Sequence, residues 1–220
     1  MNPITILRID SSPRGSEAHC GRLADELQQR LEFAWPHAKT VRRSVFEQPP
    51  PYVDIEFTRY MTTHTTAQAA AEIGALSASE ELIGELERAA ALIIATPMHN
   101  YTVPAPLKAW LDQIVRFGRT FASTPQGKIG KLSDRPAFVV VSSGGYFSGS
   151  DARQPDFLTP YLTAILQTIG ITSPTFIRME GLSRGQDKLE AAYTAARSKI
   201  ASLELELFSS NITVIKDVTT

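Results

Sequence analysis

The sequence predicts an α/β domain, a parallel sheet with helices on both faces. Short β-branched or apolar runs alternate with segments whose apolar residues recur at helical spacing, the pattern of successive β-α units. The runs at residues 4–9, 91–95 and 137–141 are apolar almost throughout, as strands buried on both faces must be. Turn-forming residues follow each of these runs, so three loops leave the sheet at its carboxyl edge, where open α/β sheets bind ligands.

Ile4-Thr5-Ile6-Leu7-Arg8-Ile9 is the first strand, and Asp10 to Ser16 supply turn residues and candidate helix caps. Cys20, Leu23, Ala24, Leu27 and Leu31 make one helical face, which Pro36 ends. Val41 to Phe46 is a weak second strand. Residues 47–64, with Pro49-Pro50-Pro51, read as an irregular excursion carrying a short helix near Ile55–Met61. Gln68 to Ala90 is Ala- and Glu-rich with Leu82, Ile83 and Leu86 on one face, hence helix.

Ala91–Ala95 is the third strand. Leu107, Trp110, Leu111, Ile114 and Val115 fall at i, i+3, i+4, i+7 and i+8, predicting a helix from near Pro104–Pro106 to Gly118. Residues 119–135 read as a hairpin or lid. Ala137–Val141 is the fourth strand; a helix with Leu158, Leu162, Ile165, Leu166 and Ile169 stops at Gly170; Thr175–Met179 is the fifth strand; and a last helix spans Gln186 to Leu205. Residues 1–207 are expected to form one domain, with 208–220 a tail or an added edge strand through Ile212-Thr213-Val214-Ile215. Five strands in a chain of 220 residues suit the flavodoxin-like order 2-1-3-4-5.

With 22 Lys and Arg against 23 Asp and Glu, the formal charge is −1, which gives no electrostatic case for nucleic acid or an anionic membrane surface. No apolar run approaches the roughly 20 residues of a membrane helix, and a strand so near the first residue leaves no room for a signal peptide. The single Cys20 excludes an internal disulfide framework and is compatible with a reducing, cytoplasmic setting. The four histidines lack metal-ligand spacing.

Each carboxyl-edge loop suggests a task. In the first, Ser11, Ser12 and Ser16 and the N–H groups opening the next helix suit a phosphate, or the serines are simply helix caps. His19 lies close enough to reach such a phosphate, while Cys20 faces either the core or the anion. In the second, two prolines stiffen a loop displaying Met98, His99, Asn100 and Tyr101. It suits a planar heteroaromatic ligand such as a flavin, or it is a turn whose Met and Tyr cap the core. Main-chain groups after Pro97 can read the edge of such a ring, and the Asn100 amide can bond its polar rim. In the third, Ser142-Ser143-Gly144-Gly145-Tyr146 either admits close approach of backbone to ligand or is an ordinary turn.

At these loops the chain resembles the FMN-dependent NADH azoreductases, also described as NADH:quinone oxidoreductases. The resemblance rests on Asp10-Ser11-Ser12-Pro13-Arg14-Gly15, Thr96-Pro97-Met98-His99-Asn100-Tyr101, Leu107-Lys108-Ala109-Trp110-Leu111-Asp112 and Ser142-Ser143-Gly144-Gly145. It extends through Leu158-Thr159-Pro160-Tyr161-Leu162, Ile169-Gly170-Ile171 and Glu180-Gly181, from about Ile4 to Leu205. It implies a flavodoxin-like homodimer with FMN at active sites on the dimer interface. It also implies a two-step reaction in which NADH reduces FMN before a quinone or azo compound takes the electrons. By position, Ser12, Ala18, His19 and Cys20 would hold the FMN phosphate, and Pro97, Met98, His99, Asn100, Tyr101, Ser142, Ser143, Gly144 and Gly145 would line the flavin.

Relatives often carry Ser-x-Ser where this chain has Ala18-His19-Cys20, so backbone N–H groups, His19 or Ser16 must replace two hydroxyls. They often carry tyrosine at His99, phenylalanine at Tyr101 and arginine at Ser143, positions that bear on pocket polarity and acceptor choice. Two other classes compete. A flavodoxin-type FMN electron carrier would normally be strongly acidic, which this chain is not. A hydrolase using Ser11 or Ser12 lacks a His/Asp partner pattern.

Overall fold

Five parallel strands form the central sheet in the order β2-β1-β3-β6-β7: β1 (Thr5–Asp10), β2 (Lys39–Ser44), β3 (Ala91–Pro97), β6 (Ala137–Ser142) and β7 (Thr175–Met179). Counted along the sheet-forming strands, this is the expected 2-1-3-4-5. The computed structural model describes residues 4–63, 74 and 76–205. The proposed strand at Ile212–Ile215 and the first part of the helix expected from Gln68 lie outside them. Between β3 and β6, β4 (Phe121–Thr124) and β5 (Gly127–Gly130) form an antiparallel hairpin, one of the two readings of residues 119–135.

Alternation along each strand divides the core in two. Ile6, Ile93, Phe138, Val140 and Ile177 pack with Leu23, Leu27 and Leu31 of α1 (His19–Ala34) and Ile200 of α6 (Gln186–Ala201). Leu7, Ile94 and Val139 face the other way, onto Leu82 and Leu86 of α3 (Ser77–Arg88), Trp110 of α4 (Ala105–Ile114) and Leu166 of α5 (Thr159–Ile169). A shorter helix, α2 (Ile55–Thr63), lies in the excursion after β2, as expected.

Several boundaries differ from the sequence reading for identifiable reasons. β2 runs two residues earlier because it takes its register from β1, Thr5 opposite Lys39 through Asp10 opposite Ser44. α4 stops at Ile114 rather than Gly118. There the Thr120 hydroxyl accepts the Arg116 N–H (2.9 Å) and donates to the Ile114 carbonyl (2.6 Å), so a side chain replaces the next helical turn. α3 ends at Arg88, where the Arg135 guanidinium donates to the Leu86 and Ala89 carbonyls; a cation at a helix C-terminus is favoured by the dipole. α6 ends at Ala201 rather than Leu205; beyond it, Arg30 takes the carbonyls of Ala201 (2.8 Å) and Leu203 (3.1 Å).

Glycine is required where the hairpin meets α5. A Cβ on Gly130 would stand 2.1 Å from the Gly170 nitrogen, and Gly170 itself caps α5 at φ +109°.

One buried cation joins β1 to α1. Arg8 is wholly buried. Its Nε and Nη2 reach Asp10 Oδ1 (3.2 and 3.1 Å), and Nη1 reaches Asp25 Oδ1 (2.5 Å) and Gln28 Oε1 (3.0 Å). Nη2 also donates to the Gly21 carbonyl (3.0 Å) in the first turn of α1, and Arg42 approaches the other oxygen of Asp10 at 2.5 Å. Deleting one partner of a buried charge cluster leaves the others uncompensated. Arg8→Met is therefore expected to lower stability by about 3 kcal/mol in urea unfolding. A loss below about 1 kcal/mol would show that Asp10 and Asp25 are satisfied without it.

Candidate functional site

The site is assembled where β1, β3 and β6 end. Main-chain bonds continue the ladder past the strands: Ser11 N donates to Ala95 O (3.0 Å), Met98 N to Ser142 O (2.8 Å) and Ser143 N to Met179 O (2.8 Å). The three loops are thus registered to one another before any side chain is considered.

In the first loop a short 3-10 turn, Gly15–Glu17, leads into α1. No side chain caps α1. Its first intrahelical bond is Arg22 N to Ala18 O (3.0 Å), so the N–H groups of His19, Cys20 and Gly21 precede it. Uncapped donors at the positive end of a helix dipole, with the half-buried Ser12 beside them, form an anion-binding arrangement. Ser11 is not part of it: its buried hydroxyl turns inward to the Ala95 carbonyl (3.2 Å). Ser12 Oγ accepts only the Arg14 N–H (3.3 Å) among the described residues, which leaves a serine hydrolase without its base.

The second loop is a two-residue turn closed by reciprocal bonds between His99 and Thr102 (2.9 and 3.0 Å). Its central residues, Asn100 and Tyr101, have φ of +48° and +73°. Asn tolerates this region and Tyr does not, so the turn is held in a disfavoured conformation by its surroundings. Part of that restraint is Phe157, whose N–H donates to the Tyr101 carbonyl (3.1 Å).

The third loop is pinned from behind. Glu180 accepts the N–H groups of Phe147 (2.7 Å) and Ser148 (3.0 Å) and the Ser148 hydroxyl. Gln154 Nε2 donates to Ser143 Oγ (3.2 Å) and contacts Met98 Sδ (3.3 Å), joining the second and third loops. Gly144 is exposed, and a Cβ there would lie 2.6 Å from Ser183 Oγ.

Ser12, Ala18, His19, Pro97, Met98, His99, Ser142, Ser143 and Gly144 line one cleft of about 240 Å³. Asn100 and Tyr101 stand outside that lining, on the exposed tip of the second turn, and Gly145 follows Gly144 without lining it. Cys20 lines a neighbouring cavity of about 480 Å³, which shares Ser12 and Ala18 with the cleft and reaches Asp10, Arg42 and Arg43. Burial pushes the Cys20 thiol up, so it stays protonated. His19 is held below the usual histidine range, first by burial and then by Arg14 and Arg22, and its Nδ1 lies 3.0 Å from the Tyr193 hydroxyl.

Arg14, Leu182 and Ser183 also line the cleft. The Glu180-Gly181 pair hints at the last two, because it marks the turn that carries them to the site. The sequence presents Arg14 only as a turn residue. The role of Gln154 has no signal in the sequence.

The strain in the second turn makes a prediction. Glycine accepts φ near +73° without penalty, so Tyr101→Gly is expected to stabilise the fold by about 1 kcal/mol. A fall in thermal stability would instead mean that the Tyr101 ring contributes more than its backbone conformation costs.

A family model described as Flavodoxin-like fold matches residues 4–203. The chain is 45% identical over 196 residues to FMN-dependent NADH:quinone oxidoreductase 4 of Pseudomonas fluorescens, covering 89% of this chain and 93% of the relative. It is 42% identical over 200 residues to FMN-dependent NADH:quinone oxidoreductase 5 of Burkholderia lata, covering 91% and 94%. Among solved structures, an azoreductase from Bacillus anthracis superposes with a TM-score of 0.78 at 22% identity, covering 90% and 97% of the two chains. An FMN-dependent NADH-azoreductase from the same species in complex with FMN gives 0.76 at 19%, covering 90% and 98%; at these identities both speak for the fold. Matched over nearly all its described length, and closely similar in sequence to these relatives, the chain belongs to the flavodoxin-like-fold family of FMN-dependent NADH:quinone oxidoreductases.

Proposed function

We propose that this protein binds FMN and uses NADH to reduce quinones and azo compounds. The observation that carries the reading is one cleft with two chemically distinct ends. At one end are the uncapped N–H groups opening α1, with Ser12; at the other, Pro97, Met98 and His99 face Ser142, Ser143 and Gly144. The first end suits a phosphate and the second a flat ring. Gly144 has no side chain to keep such a ring from the backbone, so the donor set and the shape both fit FMN.

The bound flavin supplies the redox chemistry, taking reducing equivalents from NADH and delivering them to the acceptor. The chain's own residues bind and orient. Ser12 and the N–H groups of His19 to Gly21 hold the phosphate end; Ala18 and Cys20 leave room there without adding a hydroxyl. Pro97 to His99 and Ser142 to Gly144 set the plane of the ring. Asn100 and Tyr101 act from the rim, where the acceptor approaches. One open cleft serves donor and acceptor in turn, which supports a ping-pong sequence. The exposed rings of Tyr101 (46%) and Phe157 (59%) beside the cleft support a homodimer that covers them. The single, buried Cys20 supports a cytoplasmic setting. The near-neutral net charge favours an enzyme with small acceptors over a protein-docking electron carrier.

Titration with FMN, anaerobic addition of NADH and then of a quinone test the reading in one sample. Saturable FMN binding, bleaching of the flavin by NADH and its recovery with quinone are expected. No binding at roughly tens of micromolar FMN would overturn it. Steady-state lines at several quinone concentrations should be parallel in double-reciprocal form, whereas intersecting lines would reject the ping-pong order. Asn100→Gly keeps the left-handed turn and removes the side chain with its amide. It is expected to weaken FMN or slow its reduction about threefold, and unchanged values would remove Asn100 from the site.

A further inference from the structure

The phosphate end of the cleft contains a side-chain pair that its backbone donors do not explain. His19 is the first residue of α1 and lies between Ala18 and Cys20, neither of which offers a hydroxyl. It lines the cleft with Ser12. Its Nδ1 is 3.0 Å from the Tyr193 hydroxyl on α6, and the two rings meet edge-on, with centroids 5.8 Å apart and planes at 68°. Nε2 makes no hydrogen bond among the described residues.

Tyr193 is itself held. The Arg197 guanidinium lies 5.2 Å from its ring centroid, and Glu26 binds Arg197 with both oxygens (2.7 and 2.9 Å). The charged groups around the pair are therefore Arg14 from the loop, Arg22 and Glu26 from α1, and Arg197 from α6.

We propose that Tyr193 is a positioning residue for FMN: by occupying Nδ1 of His19 it leaves Nε2–H as a donor to the phosphate, so that His19 separates FMN from riboflavin. This rests on the reading of the cleft as an FMN site. A neutral imidazole carries one donor and one acceptor, and the bond at one nitrogen decides the role of the other. Burial, then Arg14 and Arg22, keep His19 neutral at pH 7, and burial keeps the Tyr193 phenol protonated. A protonated phenol can donate to Nδ1 or accept from it; in the proposed arrangement it donates, and the proton sits on Nε2. The opposite tautomer would present a lone pair to the phosphate oxygens. Arg14 and Arg22, which disfavour a cationic His19, attract an anion beside it.

The test compares FMN with riboflavin, which lacks the phosphate, by fluorescence titration of the full chain stripped of flavin. His19→Ala should weaken FMN about tenfold and leave riboflavin within about twofold, the range of one hydrogen bond to a charged group. His19→Gln, which restores a donor, should recover FMN to within about threefold of wild type. Tyr193→Phe should weaken FMN about threefold by splitting the tautomer population. ¹⁵N spectra of labelled histidine should show the Nε2–H form in wild type and a mixture in Tyr193→Phe. Equal weakening of FMN and riboflavin in His19→Ala, or no weakening of either, overturns the proposal while leaving the FMN reading intact. So does an unchanged tautomer in Tyr193→Phe. Wild-type protein that binds neither flavin overturns the FMN reading itself.

Discussion

The parallel course of β1, β3, β6 and β7 is the constraint on which the site depends. Parallel neighbours send their following loops out at the same edge, and here the ladder does not stop where the strands do. Bonds from Ser11 to Ala95, Met98 to Ser142 and Ser143 to Met179 carry the registration into the loops themselves. A cleft built from four segments roughly 40 to 80 residues apart in sequence therefore needs no flexible search. Its walls are extensions of a sheet whose interior is closed on both faces by helices.

Arg8 links that sheet to the anion end of the cleft. A fully buried guanidinium in the middle of β1 is unfavourable unless every donor is used, and here Asp10, Asp25, Gln28 and the Gly21 carbonyl use them. Two of these partners lie in the body of α1 and one in its first turn. The same contacts that make the arginine tolerable also fix where α1 begins, and hence where its unpaired N–H groups point. Stability and ligand geometry share one set of bonds. Glu26 and Arg197 repeat the device at lower energy on the exposed side, tying α6 to α1 through partners that solvent screens.

Strain is concentrated at the second loop. Asn100 and Tyr101 adopt left-handed conformations in a turn whose geometry would favour glycine at the second position. A tyrosine there keeps an aromatic ring, 46% exposed, beside the cleft. The compensation comes from neighbours that would be needed anyway: the His99–Thr102 bonds, the Phe157 N–H and the proline that opens α4. Backbone conformation has been given up for the placement of a side chain, a pattern found at binding sites more often than in connectors.

The sequence by itself determined the fold class and the three loops, whereas the order 2-1-3-4-5, which a chain of this size only suits, is fixed by the strand pairing. Unbroken apolar runs such as Leu92-Ile93-Ile94 can be buried only on both faces, and the 3.6-residue spacing of Leu107, Trp110, Leu111 and Ile114 admits only a helix. It placed Ser12, His19, Pro97 to His99 and Ser142 to Gly144 near one another because each segment follows a strand of the same sheet. It did not show that α4 would stop at Ile114, since that depends on the Thr120 hydroxyl returning across an intervening turn. Nor did it show that β2 would begin at Lys39, because an edge strand takes its register from its neighbour rather than from its own pattern. Only the tertiary structure turned Asn100 to the rim, put Cys20 in the adjoining cavity and brought Tyr193 to His19 across 174 residues. Periodicity records which face of an element is apolar; which polar groups meet across two elements is decided by packing, and local spacing carries no trace of it.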